Sequence, residues 1–338
     1  MNSTPTSTPT STPMTLRARC ADDLIAAAPL VLGFHPTHSV MIMTSDGDRP
    51  FHARTDLPGA PAPVEDQRAV AAMLVDAARR NGVRSLAVLL YGGERATRPT
   101  WQALRRACRQ SRLQIVAALR VDDRRYFPLL GDRAAREIGI AYDISAHPFL
   151  AEAMFRGMVI QPDRASLATT LAPDAVAQAA VQAMLDDRPV PRMATPGERS
   201  DQVAWLSGFV STFVSGGQRP SDEDVARALW LVQDVRLRDH AWALVLRDNA
   251  SRHQELWLDV VRRSPDRYLP APAVLLAWAA YRAGNGAMAW LAIDRCQTVD
   301  PDHRLADLLA RCLDGALPPD AFDDHADDHL EREEGLPA

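Results

Sequence analysis

The sequence predicts an α/β domain with a mixed, largely parallel sheet over residues 15–145, followed by an all-α domain of stacked helical hairpins over residues 146–318. The first observation is that β-favouring runs alternate with helical patterns up to about residue 130, which is typical of strand–helix–strand crossovers. The second is that nearly all segments after residue 145 carry apolar residues at helical spacing. A length of 338 residues also suits roughly two domains.

Local patterns define the elements of the α/β domain in order. A helix is predicted from Asp22 to Leu32, and Gly33 ends it. The runs VMIMT and FHARTDL form a hairpin around the turn SDGD. A helix over 64–81, the strand SLAVLLY, a loop GGERATRP, a helix over 99–112 and the strands LQIVAALRV and RYFPLL follow. Helices between strands imply crossover connections and therefore parallel strands.

The second domain is predicted to contain eight helices, at 172–186, 199–214, 222–234, 237–248, 252–263, 272–283, 286–298 and 302–313. Residues 273–313 resemble a tetratricopeptide-like hairpin, because small residues alternate with Leu, Trp and Tyr around a Gly-Asn-Gly turn. Small residues such as Ala277, Ala280 and Ala292 allow close approach of helices. Core packing is favoured over a binding groove for Trp205, Trp230, Trp242, Trp257, Trp278 and Trp290.

The two ends of the chain are predicted to be disordered. Residues 1–14 form a Ser/Thr/Pro tract that cannot bury a core, and Met14 is an alternative start. Residues 319–338 form an acidic tail, with eight acids and one arginine from Asp320 onward. A solvated tail is favoured over a cation site at Asp324, His325, Asp328 and His329, so no metal site is predicted.

Composition excludes several classes of chemistry. All 38 basic residues are arginines, so no lysine is present for a P-loop, a protein kinase or a Schiff base. The four cysteines form no CxxC pair, which indicates reduced thiols in a cytoplasmic protein. No apolar run is long enough to span a membrane. Without the acidic tail the chain has a net charge of only about +2, which argues against nucleic-acid binding.

Candidate site residues follow from the expected topology. If the strands near 51–57, 85–91 and 113–120 run parallel, their carboxyl ends share one edge of the sheet, where ligands bind in α/β folds. The strand near 40–44 is antiparallel, so it begins at that edge. The ligand-binding candidates at this rim are His35, His38, Arg54, Asp56, Tyr91, Gly92, Gly93, Arg120 and Asp122, and Ser39 lies beside them.

Three interpretations of this rim remain open. In the first, Arg54 or Arg120 and backbone amides hold a small anionic or nucleotide-like ligand. In the second, His35, Ser39 and Asp56 are catalytic, with His35 as acid or base oriented by Asp56 and Ser39 as nucleophile. In the third, the rim is a rigid cap in which polar side chains satisfy buried backbone groups. Arg262, Arg263 and Arg267 are interpreted as a solvated helix end.

Several motifs resemble the actinobacterial domain-of-unknown-function family 4192 (DUF4192): LGFHPTHS after an apolar helix, RTDLP, LWLDVVRRSP, PAPAVLLAWAAYRAGNGAMAWLAIDRC and LADLLARCLDGALPP. The resemblance covers nearly the whole chain between the tails. It implies an actinobacterial, cytoplasmic protein and no particular activity. Family members tend to have a Gly-Arg-aromatic-aromatic hairpin where this chain reads DDRRYFPLL, so the glycine before Arg125, Tyr126 and Phe127 is missing.

The sequence therefore predicts a cytoplasmic binding or regulatory protein with a small-ligand site at the rim and a protein-interaction surface on its helices. The alternatives are a hydrolase- or transferase-type enzyme that uses His35, Ser39 and Asp56, and an adaptor without a pocket. No particular cofactor is indicated, and neither a membrane nor a nucleic-acid partner is expected.

Overall fold

The computed structural model describes residues 17–44, 51–59, 61–186, 195–216 and 219–322. The described chain forms a six-stranded mixed sheet with helices on both faces, followed by a helical part. The strands are β1 (Ser39–Met43), β2 (His52–Asp56), β3 (Ser85–Tyr91), β4 (Gln114–Asp122), β5 (Arg125–Pro128) and β6 (Ile140–Ala141). The helices among them are α1 (Ala21–Leu32), α2 (Val64–Arg80), α3 (Glu94–Gln110) and α4 (Arg133–Ile138).

The sheet has the strand order β2-β1-β3-β4-β5-β6, and this corrects the expectation of a largely parallel sheet. Only β3 and β4 pair in parallel, and the other four pairings are antiparallel. The reason is that β1 is inserted between β2 and β3, while β5 and β6 fold back beside β4. β2, β3 and β4 nevertheless run in the same direction, as the helices between them predict.

The two faces of the sheet are covered by different helices because strand side chains alternate between the faces. On one face, Met41, Leu89 and Leu119 pack against α1. On the other face, Val40 and Leu90 pack against α2 and α3. The central strands are therefore buried on both sides, which explains their nearly continuous apolar sequences.

Helix α3 begins earlier than expected, at Glu94, and the predicted loop GGERATRP is mostly helical. Pro99 lies inside the helix and removes one backbone donor, which is why the sequence pattern favours a later start. Gly93 is the N-cap of the helix, and its carbonyl oxygen accepts a hydrogen bond of 3.1 Å from the hydroxyl of Thr97. This places the Gly92–Gly93 loop directly at the end of β3.

The β4–β5 hairpin forms without a glycine in its turn. Asp123 takes the left-handed conformation in the turn, with a φ of 54°, which aspartate adopts more readily than most residues. Phe127 in β5 lies over the guanidinium of Arg120, with 3.6 Å between the Arg120 Cζ and the ring centroid. Gly139 (φ 71°) lies against the same ring, and a Cβ there would be only 2.6 Å from it.

The helical part contains ten helices within the described residues. They are α5 (Pro148–Phe155), α6 (Arg164–Thr169), α7 (Ala175–Asp186), α8 (Pro196–Val214), α9 (Asp222–Leu231), α10 (Val235–Ala243), α11 (Ala250–Arg263), α12 (Pro270–Arg282), α13 (Gly286–Gln297) and α14 (Arg304–Asp314). The eight predicted helices correspond to α7–α14. The short helices α5 and α6 were not predicted, because they are too short to carry a helical period.

Helix α12 is the centre of the helical core, and it is buried around nearly its whole circumference. It packs against α11 and α13, and Ala277 and Ala280 are fully buried there. Trp242 and Trp278 stack in parallel with 4.1 Å between their ring centroids, and Trp257 is fully buried. Core packing is thus the role of these three tryptophans.

The sheet and the helical part are in direct contact. Phe34 forms a parallel backbone bridge with Gln161, and its ring is buried in the helical core. At the end of α2, the Arg80 Nε donates to the Gly315 carbonyl oxygen at 2.8 Å, and the Asn81 Nδ2 donates to the Ala316 carbonyl oxygen at 2.9 Å.

Two further expectations need correction. Arg263 is not at a solvated helix end: it is buried and forms ion pairs with Asp222 and Asp259, whereas Arg262 and Arg267 are exposed. Residues 319–322 belong to a short 3₁₀ helix and not to a disordered tail. The tract 1–14, the turn SDGD, residues 323–338 and the considered cation ligands from Asp324 to His329 lie outside the described residues.

Candidate functional site

The strand register places the predicted rim residues at one edge of the sheet. Ser39, the first residue of β1, lies opposite Asp56 at the end of β2 and opposite Tyr91 at the end of β3. Tyr91 in turn lies opposite Val121, one residue before Asp122. The carboxyl ends of β2, β3 and β4 therefore meet where β1 begins.

The same register separates the rim side chains onto two faces. Arg54 and Asp56 share the α1 face with Ser39 and Tyr91, because they pair with residues of that face. Arg120 pairs with Leu90 and therefore lies on the face of α2 and α3, as does Asp122. A single ligand site that uses both arginines is thus not formed.

Arg120 is occupied within the fold. Its Nη1 lies 2.7 Å from the Asp122 Oδ2, and its guanidinium stacks on Phe127. The side chain is only 10% exposed, so its charge is neutralised and covered on this face. Arg120 and Asp122 therefore act as a structural pair at the end of β4.

The Gly92–Gly93 loop joins the two faces of the rim. A Cβ on Gly92 would lie 3.8 Å from the His38 Nδ1, and a Cβ on Gly93 would lie 3.9 Å from the Asp122 Oδ2. His38 is exposed and has a φ of 42°. Its carbonyl oxygen accepts a hydrogen bond of 2.8 Å from the Leu57 amide, which fixes the start of β1 against the end of β2.

The candidate catalytic residues do not form a hydrogen-bonded relay. Ser39 is fully buried, and its Oγ has no partner among the described residues. Asp56 is exposed and pairs with Arg54. His35 is exposed, its backbone amide donates to the Gln161 carbonyl oxygen, and partial desolvation of its ring lowers its pKa. Catalysis by a serine nucleophile requires the serine, a base and an orienting acid to be in contact with one another.

Tyr91 lies in the sheet core and not in an open rim. Its hydroxyl is buried without a partner among the described residues, and this burial raises the pKa of the phenol well above its usual value. The phenol therefore stays protonated, which suits a structural role beneath α1 better than proton transfer.

A cleft of about 1390 Å³ lies between the outer edge of β2 and the helical part. One wall is β2 with the end of α2, and the other is formed by the α12–α13 turn and the segment after α14. Of the predicted site residues, only Arg54 and Asp56 line it. Its volume exceeds the range of roughly 300–1,000 Å³ that is usual for small-molecule sites.

Arginines dominate the charge of this cleft, which we call the arginine cleft. Six arginines and three aspartates line it. The arginines are Arg54, Arg80, Arg84, Arg164, Arg247 and Arg282, and the aspartates are Asp56, Asp314 and Asp320. Sequence analysis identified only the first of these arginines, because the other five come from distant segments that carry no common motif.

Arg54 is held by contacts on several sides. The Arg54 Nη2 lies 2.6 Å from the Asp56 Oδ1 and donates to the Thr37 carbonyl oxygen at 3.5 Å. Its guanidinium lies 5.6 Å from the centre of the Phe34 ring. Burial lowers the pKa of Arg54, the nearby positive charge of Arg164 lowers it further, and Asp56 opposes both.

Arg54 keeps one donor that the described fold does not use. Its Nε is buried and has no hydrogen-bond partner among the described residues. Arg164 also lines the cleft, where its positive charge lowers the Arg54 pKa, and its Nη2 lies 3.9 Å from the Asp294 Oδ2.

Strand β2 presents its edge to the cleft. Six consecutive residues, from Phe51 to Asp56, line it, whereas a strand face would contribute only alternate residues. Within this stretch the Nδ1 of His52 is buried without a partner among the described residues. Burial lowers the pKa of His52 to about 4, so the ring is neutral at pH 7 and the arginines supply the positive charge.

Within the described ranges, no group of three or more His, Cys, Asp or Glu side chains is arranged to hold a metal ion. Among the described helices, none combines the length and the apolarity needed to cross a membrane.

None of the curated proteins and none of the solved structures compared with this chain matches it. A family model described as "Domain of unknown function (DUF4192)" matches residues 22–320. The match spans the sheet, the arginine cleft and the helical part, in agreement with the resemblance noted in the sequence. The chain therefore belongs to the DUF4192 family.

Proposed function

We propose that this chain is a binding protein that holds a multivalent anionic ligand in the arginine cleft. The observation that carries the proposal is the arrangement around Arg54, which lines a cleft together with Arg164 and has a Nε without a partner among the described residues. Guanidinium groups bind carboxylates and phosphates through paired, charge-assisted hydrogen bonds. An anion bridging Arg54 and Arg164 satisfies both requirements of the site, charge and hydrogen bonding.

The size of the cleft favours an extended ligand over a compact one. A volume of about 1390 Å³ is more than a nucleotide-sized molecule needs, and the arginines are distributed along both walls. A ligand with several negative charges in a row would contact more of them at once. The exposed backbone edge of β2 offers further donors along the same wall.

The helical part belongs to the same proposal. Helix α12 packs against both of its neighbours in the chain, α11 and α13, and we propose that α7–α14 form a tetratricopeptide-like array whose outer surface contacts a partner protein. The three cysteines in the cores, Cys108, Cys296 and Cys312, are buried free thiols, which supports a reducing, cytoplasmic location.

Anisotropy of a fluorescein-labelled decaglutamate peptide, titrated with the full chain at low salt, tests the cleft. We expect saturable binding that added salt weakens, because screening reduces charge–charge attraction. Tripolyphosphate as a competitor distinguishes a compact anion from an extended one. If it displaces the peptide at lower concentration than free decaglutamate does, the ligand class is a compact phosphate.

Paired substitutions identify the binding surface. The double variant Arg54→Gln/Arg164→Gln should weaken peptide binding about tenfold or more, since hydrogen bonds to charged groups contribute roughly 1.5–3 kcal/mol each. Arg105→Gln/Arg109→Gln removes the same charge from the exposed face of α3 and should change affinity less than about twofold. Equal losses in the two variants, or no saturable binding up to about 1 mM chain, would overturn the proposal.

A further inference from the structure

We infer that the acidic C-terminal segment of this chain, residues 323–338, docks in the arginine cleft and competes there with the anionic ligand. The inference rests on the proposed function and adds its regulation. The segment carries seven acids and one arginine, and the cleft is lined by six arginines and three aspartates. The two surfaces are therefore opposite in net charge.

The described chain ends at the wall of the cleft. Pro318, Pro319 and Asp320 line it. The Pro319 carbonyl oxygen accepts a hydrogen bond of 2.7 Å from the Arg282 Nη1. The next residues of the chain therefore start within the field of the cleft arginines and need no long path to reach them.

Phe322 anchors this exit point. Its ring packs edge-on against Trp278 and Tyr281, with ring centroids 5.4 Å and 6.2 Å away. The Tyr281 hydroxyl donates to the Leu317 carbonyl oxygen at 2.8 Å, which holds the preceding residues as well. Because the anchor is part of the helical core, the acidic segment begins from a fixed position.

Length and tethering both favour docking. Sixteen residues follow Phe322, and an extended chain of that length spans up to about 50 Å, which is enough to run along β2. A segment tethered this closely has an effective concentration in the millimolar range. Even an intrinsic dissociation constant of roughly 100 µM would then weaken a competing ligand about tenfold.

Carboxylate–guanidinium contacts account for this docking better than a seventh strand. Aspartate and glutamate are disfavoured in strands, and four of the sixteen residues are aspartates and three are glutamates. The guanidinium groups of Arg54 and Arg164 line the cleft and provide a place for a carboxylate. The docked segment would thus occupy the position that the proposed ligand needs.

The experiment compares the full chain with two variants in decaglutamate anisotropy titrations. The first variant ends at Phe322. The second keeps the full length but removes the acidic charge with Asp323→Asn, Asp324→Asn, Asp327→Asn, Asp328→Asn, Glu331→Gln, Glu333→Gln and Glu334→Gln. Both should bind decaglutamate about tenfold more tightly than the full chain, and a free peptide of residues 323–338 should displace the probe from the shortened chain.

The outcomes separate this inference from the proposed function. Equal affinities of all three chains, with binding still dependent on Arg54 and Arg164, overturn the inference and leave the cleft as a ligand site. No binding by any of the three overturns the proposed function itself. If the shortened chain loses its helical circular dichroism, the full-length neutral variant decides alone, since it retains the whole backbone.

Discussion

At the scale of single residues, the surroundings of an arginine decide whether it stabilises the fold or faces a cleft. Arg263 is almost fully buried, and it is held by the Asp222 and Asp259 carboxylates and the Pro220 carbonyl oxygen. Arg54 has one ion pair and a donor left over. Sequence patterns do not separate these two side chains, because each has a carboxylate partner nearby in the chain, Asp56 for Arg54 and Asp259 for Arg263.

Arg263→Ala should lower the free energy of unfolding by about 1.5–3 kcal/mol, because it removes the buried guanidinium that Asp222 and Asp259 share, while Asp259 keeps its ion pair with Arg219. Urea unfolding followed by tryptophan fluorescence measures the change. Arg267→Ala removes an exposed arginine from the same region and should change stability by no more than about 0.5 kcal/mol. Similar effects of the two variants would contradict the structural role of Arg263.

His253 makes stability depend on pH. Its side chain is buried, and burial lowers its pKa to about 4, partly opposed by a hydrogen bond with the Leu244 backbone. The unfolded state, with a pKa near 6.5, binds the proton first as pH falls. The stabilising contribution of neutral His253 should therefore be fully present above pH 6.5. It should be lost as the pH falls towards 4, which lowers the free energy of unfolding by about 3 kcal/mol in total.

Urea unfolding at a series of pH values between 4 and 7 measures this effect. His253→Gln should reduce the slope of the unfolding free energy against pH, by at most about 1.4 kcal/mol per pH unit, which is the contribution of one proton. This reduction is expected even if the variant is less stable at every pH. A slope in this interval that is the same for the variant and the natural chain would show that His253 is not the group involved.

At the scale of elements, the sequence predicts the directions of strands better than their order. The crossovers through α2 and α3 give β2, β3 and β4 one common direction, because a helix returns the chain to the same edge. The order of the strands in the sheet depends on whether β1 or β2 of the hairpin pairs with β3. Both β1 and β2 are short, so their length does not decide between these two arrangements. The observed choice places apolar β1 inside the sheet and polar β2 at its edge, which is consistent with burial of the more hydrophobic strand.

Helix α12 shows where sequence patterns work well. Its small residues predict close packing, and Ala280 is fully buried between neighbouring helices. Ala280→Leu should therefore destabilise the chain by about 1–3 kcal/mol through overpacking. Ala72→Leu, on the exposed side of α2, should be close to neutral. Thermal unfolding of the two variants tests the difference, and a neutral Ala280→Leu would mean that α12 is loosely packed.

At the scale of the whole molecule, the arginine cleft could not be predicted because it belongs to no single element. Arg54 is on a strand, Arg80 is at the end of α2, and Arg164, Arg247 and Arg282 are in the helical part. Only the packing of the sheet edge against the helices brings them together. The rim of the sheet was predictable because strand direction alone defines it. Arg54 and Asp56 belong to both the rim and the arginine cleft.

Phe34 holds the two walls of the cleft together. It follows α1 in the chain, yet its ring is 2% exposed within the helical core, and its backbone bridges to Gln161. Phe34→Ala should lower the free energy of unfolding by about 3–5 kcal/mol through loss of contacts and formation of a cavity. Phe155→Ala, at a phenylalanine that is 89% exposed, provides the control and should change it by less than about 0.5 kcal/mol.

Unfolding followed by tryptophan fluorescence and by far-UV circular dichroism shows whether Phe34 also couples the unfolding of the sheet to that of the helical part. Six of the seven tryptophans are in the helical part, so fluorescence reports mainly on its unfolding, while far-UV circular dichroism reports on the whole chain. We expect coincident transitions in the natural chain and separated transitions in Phe34→Ala, because the variant weakens the contact between the sheet and the helices. Coincident transitions in both chains would mean that the hydrogen bonds of Arg80 and Asn81 are sufficient for coupling.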